Sequence, residues 1–287
     1  MRIAALVFGA AALLAGGACA GPIRDNIYPA PRAPLVAADL PDGAVLASVT
    51  TADGLKLIGA RTPARAGMPT LVVFHGNASS AADTLKWLSP AIAQGYGVVA
   101  AEYRGYSGNP GDPNEAGLAA DADAFMQLAQ QAAGSGPVWI VGHSLGGGVA
   151  LGLANRARSE VVVTVGTFTR LKVLAPAIAR PLLGAHVYDN ERAVAQGRTP
   201  FYLVHGLHDD VVPSSHGETL HRRAGAAKRP GASFVVPEAD HKPSGEIMLA
   251  VLEAIRTGPD RERPAAPSSA AGTVLLIPFG ESRSANP

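Results

Sequence analysis

The sequence has little from which a disulfide, a metal cluster or a nucleic-acid surface could be built. It contains one cysteine, Cys19, so no disulfide can form within the chain. The formal net charge at pH 7 is +1 and the basic residues are scattered, which argues against nucleic-acid binding. The sequence has no His-Glu-x-x-His pattern and no cysteine cluster, and no Gly-x-Gly-x-x-Gly pattern opens a first βαβ unit. We therefore expect neither a metal nor an organic cofactor.

Charged and aromatic residues are also few, at 16% and 5%, while 47% of the residues are hydrophobic. This composition is typical of an alanine-rich globular enzyme and not of a disordered protein. A chain of 287 residues has room for one large α/β domain with extensions.

The N-terminus is typical of an export signal. Residues 1–2 supply a positive start, and residues 3–17 are apolar but short for a membrane-spanning helix. The Ala-Cys-Ala sequence that ends at Ala20 fits cleavage after that residue, whereas a lipid on Cys19 would make a membrane-anchored lipoprotein. A bacterial lipobox usually has Leu where this chain has Gly16. The sequence predicts an exported protein, periplasmic or secreted, and both processing routes stay open.

Short apolar runs alternate with helical stretches along most of the chain. They predict an α/β protein with a doubly wound, mostly parallel sheet that helices cover on both faces. Two runs around the Ala-Asp-Gly turn at residues 52–54 predict an antiparallel hairpin at one sheet edge. Strands are predicted over residues 44–50, 55–60, 70–75, 97–101, 137–141, 161–165, 201–205 and 233–236, and the clearest helices over residues 82–94 and 114–132.

Three segments differ from the rest of this α/β domain, which spans residues 44–257. Residues 21–43 are rich in Pro and Ala and predict an extended lead-in on the domain surface. Residues 166–200 form the main insertion, with one good helical stretch at 171–179, and predict a minimal cap over an open pocket. Residues 258–287 predict a disordered tail. An apolar run within that tail, at residues 274–279, could be an extra strand, a docking segment or an exposed sticky patch.

A Gly-His-Ser-Leu-Gly sequence at residues 142–146 separates an apolar, strand-like run from small apolar residues that suit a closely packed helix. A nucleophile elbow requires this context, and Gly142 and Gly146 leave room for its sharp turn. Ser144 would then stand clear of the sheet, at the positive end of the following helix. The pattern predicts that Ser144 is a nucleophile.

A serine hydroxyl needs a base and a group that orients the base, and both are expected at the carboxyl ends of late strands. His241 follows the last predicted strand, which favours it as the base. The loop after the preceding strand carries Asp209 and Asp210. Asp209 is the favoured acid because it is closer to the strand, and Asp210 would face solvent or cap the next helix. Asp240 and Glu238 are more distant alternatives.

An oxyanion hole needs two backbone amides near the position where negative charge develops. The amide of Leu145, directly after the predicted nucleophile, is the first. The second is expected in the His-Gly-Asn-Ala sequence at residues 75–78, where Gly76 allows a close backbone approach and Asn77 is the favoured donor. His75 and His205 end strands, and we expect them to be structural, each with a hydrogen bond to backbone.

Four sequences in this order resemble the α/β hydrolase superfamily: residues 75–78, the Glu-Tyr-Arg-Gly-Tyr-Ser-Gly run at 102–108, residues 142–147 and residues 205–213. Within that superfamily the chain resembles the bud-emergence-like group, whose members also carry serine aminopeptidase-like names. The resemblance covers roughly residues 44–256 and implies an α/β-hydrolase fold.

The resemblance also implies roles for single residues. It places a Ser-Asp-His triad on Ser144, Asp209 and His241, and it implies that the run beginning at Glu102 supports the oxyanion loop. Glu102 and Arg104 are expected to form a buried pair there. The predicted site comprises catalytic Ser144, Asp209 and His241, the oxyanion amides of Asn77 and Leu145, and supporting residues His75, Gly76, Glu102, Arg104, Gly142 and Gly146.

These patterns predict a serine hydrolase that cleaves a carboxylic ester or a related acyl bond of a small molecule through an acyl-enzyme. No obligate protein partner is indicated. A serine peptidase or a thioesterase is the alternative within enzymes. A catalytically silent binding protein of the cell envelope, built on the same fold, is the alternative outside them.

Overall fold

Nine strands form one sheet in the computed structural model, which describes residues 25–174, 187–260, 262–268 and 272–281. Along the chain they are β1 (Val45–Thr50), β2 (Lys56–Thr62), β3 (Thr70–Phe74), β4 (Gly97–Ala100), β5 (Val138–His143), β6 (Val161–Val165), β7 (Phe201–Gly206), β8 (Gly231–Val236) and β9 (Leu275–Pro278). Their order across the sheet is β1-β2-β4-β3-β5-β6-β7-β8-β9. Neighbours from β4 to β8 pair in parallel, whereas β1–β2, β2–β4 and β8–β9 are antiparallel. The predicted parallel sheet with an antiparallel hairpin at one edge is confirmed.

Helices cover both faces of this sheet. They are α1 (Ala81–Trp87), α2 (Ser89–Gln94), α3 (Glu115–Ala133), α4 (Leu145–Ala154), α5 (Leu171–Leu174), α6 (Asn190–Gln196), α7 (Ser214–Ala226) and α8 (Gly245–Thr257). One helix was expected over residues 82–94, but α1 and α2 divide it at Leu88, which has a non-helical ψ of 14°. Pro90 follows in the first turn of α2, where its missing N–H is tolerated.

Alternate strand residues enter two separate hydrophobic cores. Val72 and Ile140 pack with side chains of α3, α4 and α7, whereas Leu71 and Trp139 pack with α1, α2 and α8. This division follows from the strand geometry, because successive side chains point to opposite faces of a sheet. Both faces of the central strands are buried, as their continuous apolar runs predict.

Two residues of the lead-in differ from its prediction as a surface segment. Ile27 and Tyr28 are 5% and 1% exposed, and the Tyr28 hydroxyl lies 3.3 Å from the hydroxyl of Tyr188 in the insertion. Two adjacent apolar residues among prolines have neither helical nor strand periodicity, so the sequence pattern did not reveal their burial. Ile27 and Tyr28 are therefore part of the core, while most of the lead-in stays on the surface.

The C-terminal segment contributes a strand to the sheet. Residues 275–278 form β9, which pairs antiparallel with the edge of β8, so the strand interpretation of the apolar run is confirmed. Phe279, which follows β9, stacks on Phe201 with 5.5 Å between ring centroids. The chain beyond residue 258 is thus not uniformly a disordered tail.

Two predicted features fall wholly or partly outside the described residues. The predicted export signal, with Gly16, Cys19 and Ala20, falls before residue 25. The middle of the insertion lies between residues 174 and 187, so the predicted helix over 171–179 is described only as α5. Within the described ranges, no helix has both the length and the apolar character needed to cross a membrane.

Candidate active site

Ser144 occupies the turn between β5 and α4 in a rare backbone conformation. Its φ and ψ are 53° and −116°, values that cost energy for a residue with a side chain. The flanking positions require glycine: a Cβ on Gly142 would lie 2.2 Å from the carbonyl oxygen of Gly146, and a Cβ on Gly146 would lie 2.0 Å from that of Phe74. The predicted sharp strand-to-helix turn at the Gly-x-Ser-x-Gly sequence is confirmed.

Asp209 and His241 are brought together at the carboxyl ends of β7 and β8. Asp209 Oδ2 lies 2.8 Å from His241 Nδ1, and the Asp209 side chain is fully buried. The backbone amides of Val211 and Val212 donate to Asp209 Oδ1 at 3.0 and 2.7 Å. Asp210, the alternative within the same loop, is exposed. Asp209 is thus the carboxylate that contacts the histidine.

A second histidine contacts the same carboxylate. His205 Nε2 lies 2.8 Å from the carbonyl oxygen of Val212 and 3.3 Å from Asp209 Oδ2. Because a carbonyl only accepts hydrogen bonds, Nε2 carries the proton. Burial raises the pKa of the Asp209 carboxyl, but the hydrogen bonds from His205 and His241 outweigh burial and hold this pKa well below its usual range. His205 forms the hydrogen bond to backbone that was expected of a structural residue. Its additional contact with Asp209 was not predicted from the sequence.

His143 supports the loop that carries His241. The two rings lie 4.8 Å apart between centroids, and His143 Nε2 donates to the carbonyl oxygen of His241 at 3.1 Å. Burial, followed by the charges of His241 and Lys242, lowers the pKa of His143 to about 3, so its ring is neutral at neutral pH. No role for His143 was predicted, because a histidine inside the turn sequence gives no signal of where its ring packs.

The backbone amides of Asn77 and Leu145 donate to no protein group within the described residues. Leu145 begins α4, so its N–H has no partner within the helix. The next amide of the oxyanion loop, that of Ala78, is occupied by the carbonyl oxygen of Pro29 at 2.8 Å. Gly76 allows the approach, since a Cβ there would lie 3.0 Å from Ser144 Cβ.

The lead-in and the run after β4 hold Asn77 in place from two sides. Its side-chain nitrogen donates to the carbonyl oxygen of Ile27 at 2.8 Å, and its side-chain oxygen accepts from the Tyr106 hydroxyl at 3.0 Å. Tyr103 donates to the carbonyl oxygen of His75 at 2.9 Å. The Glu-Tyr-Arg-Gly-Tyr run therefore contacts the loop at residues 75–78, and the oxyanion role of that loop stays a prediction.

The prediction that Glu102 and Arg104 form a buried ion pair is wrong. Glu102 lies 3.0 Å from His75 Nε2 and accepts from the amide of Ala81, at the start of α1, at 2.8 Å. Arg104 instead donates to Asp121 on α3 at 2.8 Å and to Asp53 in the β1–β2 turn at 2.7 Å. The Glu102 carboxylate thus contacts hydrogen-bond donors, and the Arg104 guanidinium contacts carboxylates, on other elements of the fold. The spacing of residues in the sequence does not reveal these partners.

Within the described residues, no hydrogen bond joins Ser144 to His241. Both border the end of β6: the Ser144 amide donates to the carbonyl oxygen of Val165 at 2.8 Å, and a Cβ on Gly166 would lie 3.0 Å from His241 Nδ1. Bonds between nucleophile and base are often loose before substrate binds. Across the described ranges, no cluster of three or more His, Cys, Asp or Glu side chains could hold a metal ion.

Comparison with known proteins agrees with this geometry. Residues 69–181 match the family model of the alpha/beta hydrolase fold. An uncharacterized protein of Mycobacterium tuberculosis is 33% identical over 222 residues, which make up 73% of this chain and 78% of that protein. The chain belongs to the α/β hydrolase superfamily.

Relatives of this α/β hydrolase include proteins with named activities. The lysophosphatidylserine lipase ABHD12 of Danio rerio is 27% identical over 184 residues, which cover 56% of this chain and 48% of the lipase. Among solved structures, an esterase of Pyrococcus furiosus superposes with a TM-score of 0.58 at 18% identity, covering 75% of this chain and 91% of the esterase. At that identity the superposition shows the shared fold.

Proposed function

We propose that this α/β hydrolase is a serine hydrolase that cleaves a carboxylic ester through Ser144, His241 and Asp209. The observation that carries the proposal is the hydrogen bond between the buried Asp209 carboxylate and His241, together with a serine at the strained turn of the elbow. A fold can host many functions, so the proposal depends on this group of side chains. The relative named as a lipase supports the ester as substrate.

In the proposed reaction, His241 takes the proton of Ser144 Oγ as that oxygen attacks the ester carbonyl. The Leu145 and Asn77 amides donate hydrogen bonds to the oxyanion that forms. His241 then gives the proton to the departing alcohol, which leaves an acyl group on Ser144. Water, deprotonated by His241, releases the acid and restores the serine.

Asp209 acts through His241 in this reaction. Its carboxylate accepts the hydrogen bond of His241 Nδ1, so the proton stays on Nδ1 and the other ring nitrogen is left free to act as the base. The low pKa of Asp209 keeps the carboxylate charged throughout, which stabilises the imidazolium formed during each proton transfer.

Peptide or thioester cleavage would use the same residues, so substrate comparison has to separate these activities from ester cleavage. A silent binding protein of the envelope is disfavoured, because such a protein has no use for a strained serine beside an oriented histidine. We also propose that the protein is exported and acts on a small acyl substrate without an obligate partner chain.

Replacement of the nucleophile tests this proposal directly. We expect Ser144→Ala to abolish hydrolysis of p-nitrophenyl butyrate and labelling by a fluorophosphonate probe, because no other group can form the acyl-enzyme. His241→Ala should also lose labelling. The control is Ser215→Ala at an exposed position of α7, which should behave as the wild type.

Circular dichroism would establish that each variant is folded before its activity is compared. Turnover that persists in folded Ser144→Ala would refute the assignment of the nucleophile. A folded wild type that neither labels nor turns over any ester, thioester or peptide substrate would leave the silent binding protein as the better hypothesis.

A further inference from the structure

A groove between α1 and the loop after β8 contains a cation that the proposed triad does not use. Its lining includes Asn77, Asp83, Lys86, Trp87, His241 and Lys242. Asn77 and His241 are the groups proposed to act on the substrate from either side of Ser144. The groove therefore borders two of the groups proposed to act at the ester, and a group bound in it can be covalently part of the substrate.

Lys242 is held in this groove by an aromatic ring instead of a carboxylate. Its Nζ lies 5.0 Å from the centroid of the Trp87 ring, within the range of a cation–π interaction. The Trp87 ring is itself fixed, because Nε1 donates to the carbonyl oxygen of Pro243 at 2.8 Å. The ammonium is thus positioned at a defined place beside His241.

No carboxylate within the described ranges forms an ion pair with Lys242. Asp83, on the opposite wall, attracts the ammonium only from a longer distance, and its Oδ2 accepts a hydrogen bond from Ser80 Oγ at 2.8 Å. Burial disfavours the charged form of the Lys242 amine and lowers its pKa.

A half-buried ammonium without an ion-pair partner is a cost to the folded state. Trp87 offsets part of this cost and supplies no negative charge. An anionic group that enters the groove would be attracted by Lys242 and, at the exposed rim, by Lys86. With two lysines and one aspartate, the groove has a net charge of +1 when His241 is neutral.

We propose that this groove is a subsite for an anionic group of the substrate, a carboxylate or a phosphate, and that Lys242 binds it. The hydrolase then prefers esters that carry a negative charge over neutral esters of the same shape. This inference rests on the proposed ester hydrolysis, whose specificity it describes.

The test compares each anionic ester with a neutral ester of similar chain length that lacks the anionic group. For a carboxylate on the acyl side, p-nitrophenyl hydrogen glutarate is compared with neutral p-nitrophenyl hexanoate. For a phosphate on the alcohol side, hexanoylglycerol phosphate is compared with hexanoylglycerol. For each pair, the measured quantity is kcat/KM for the anionic ester divided by kcat/KM for the neutral ester. The pair with the higher ratio shows whether the anionic group binds on the acyl side or on the alcohol side of the ester.

We expect at least one wild-type ratio to favour the anionic ester by about tenfold, which corresponds to one partly desolvated charge pair. Lys242→Gln should bring this ratio to about one, while kcat/KM for the neutral ester stays within about twofold. Lys242→Arg should retain most of the preference because it keeps the charge. The matched control is Lys56→Gln at an exposed position of β2 that does not line the groove, which should leave the ratio unchanged.

Binding to the inactive Ser144→Ala variant separates this inference from the proposed function. Calorimetry with p-nitrophenyl hydrogen glutarate and hexanoylglycerol phosphate should show binding of at least one, weakened about tenfold when Lys242→Gln is added. Binding that depends on Lys242 in a protein whose wild type hydrolyses no ester would overturn the proposed function and support the subsite. Equal ratios in wild type and Lys242→Gln, or binding that is indifferent to Lys242, would overturn the subsite.

Discussion

At Asp209, two imidazoles and two backbone amides converge on one buried carboxylate. Such a site keeps the carboxylate ionised and leaves it only one orientation toward His241. The sequence could place Asp209 in the correct loop. It could not show that His205 lies on the other side, because residues that converge in space from separate positions along the chain leave no local pattern.

We expect Asp209→Asn to lower kcat by about three to four orders of magnitude while the chain stays folded. The amide can donate to His241 Nδ1, which favours the wrong tautomer and removes the stabilising charge. Steady-state hydrolysis of p-nitrophenyl butyrate measures the effect. The neighbouring exposed carboxylate provides the control: Asp210→Asn should keep wild-type activity, and an equal loss in both variants would contradict the role of Asp209.

His143 makes the stability of the fold depend on pH. Its pKa is about 6.5 in the unfolded chain and about 3 in the folded one, so between these values the unfolded state binds the extra proton. The free energy of unfolding should therefore fall as the pH drops below about 6.5, with His143 contributing up to about 1.4 kcal/mol per pH unit.

Urea unfolding of the wild type and of His143→Gln at several pH values from about 7 to 4 measures this contribution. We expect the variant to lose less stability on acidification, because glutamine does not titrate. Every other titrating group is common to both proteins. If the free energies of unfolding of the two proteins fall in parallel as the pH is lowered, the pKa of His143 is not lowered by folding.

Among the elements, α4 packs so closely that its glycines are not equivalent. A Cβ on Gly147 would lie 1.8 Å from Thr167 Oγ1, in the buried loop after β6, whereas the nearest atom to a Cβ on Gly152 is the end of the Arg156 side chain at 3.4 Å. Gly147 lies close to Thr167 because of the path that the chain takes after β6. The sequence of α4 alone gives no information about that path.

We expect Gly147→Ala to lower the free energy of unfolding by about 1–3 kcal/mol, because the added methyl group must displace buried atoms. Gly152→Ala in the same helix should raise it by about 0.5–1 kcal/mol, since alanine loses less backbone entropy in a helix. Denaturant unfolding of the two variants gives both values. If both substitutions raise the free energy of unfolding, helix propensity determines the result, and the close approach of Gly147 to Thr167 does not.

The elements themselves were largely predictable because buried parallel strands are continuous apolar runs. Every predicted strand matches an observed one within a few residues, and the turn at Ser144 follows from its glycines. The partners of Glu102 and Arg104 were not predictable. Both side chains find theirs on α1, α3 and the β1–β2 turn, and local spacing carries no information about such distant pairings.

At the scale of the whole molecule, β9 covers an edge of the sheet that would otherwise be exposed. Its pairing satisfies the open side of β8, and the adjoining chain contacts α7, where His221 Nε2 donates to the carbonyl oxygen of Glu281 at 2.9 Å. An uncovered edge strand is a template for pairing with other chains.

We expect removal of residues 272–287 to lower the free energy of unfolding by about 1–3 kcal/mol, through the loss of the β9 ladder and of the stacking of Phe279 on Phe201. Light scattering should also show more aggregation on heating. Removal of residues 282–287 alone, which spares β9, is the control. If both truncated chains match the full chain in thermal midpoint and scattering, β9 does not protect the edge.

The hydrogen bond between Asn77 and the lead-in has a practical consequence for producing the protein. A recombinant chain trimmed to the strand-rich part would begin near residue 44 and would still contain Ser144, Asp209 and His241. It would lack the carbonyl groups of Ile27 and Pro29, which hold the loop that offers the Asn77 amide. Such a trimmed protein could react with a fluorophosphonate and still turn over esters poorly, so cloning boundaries chosen from secondary structure alone would produce a misleadingly weak enzyme.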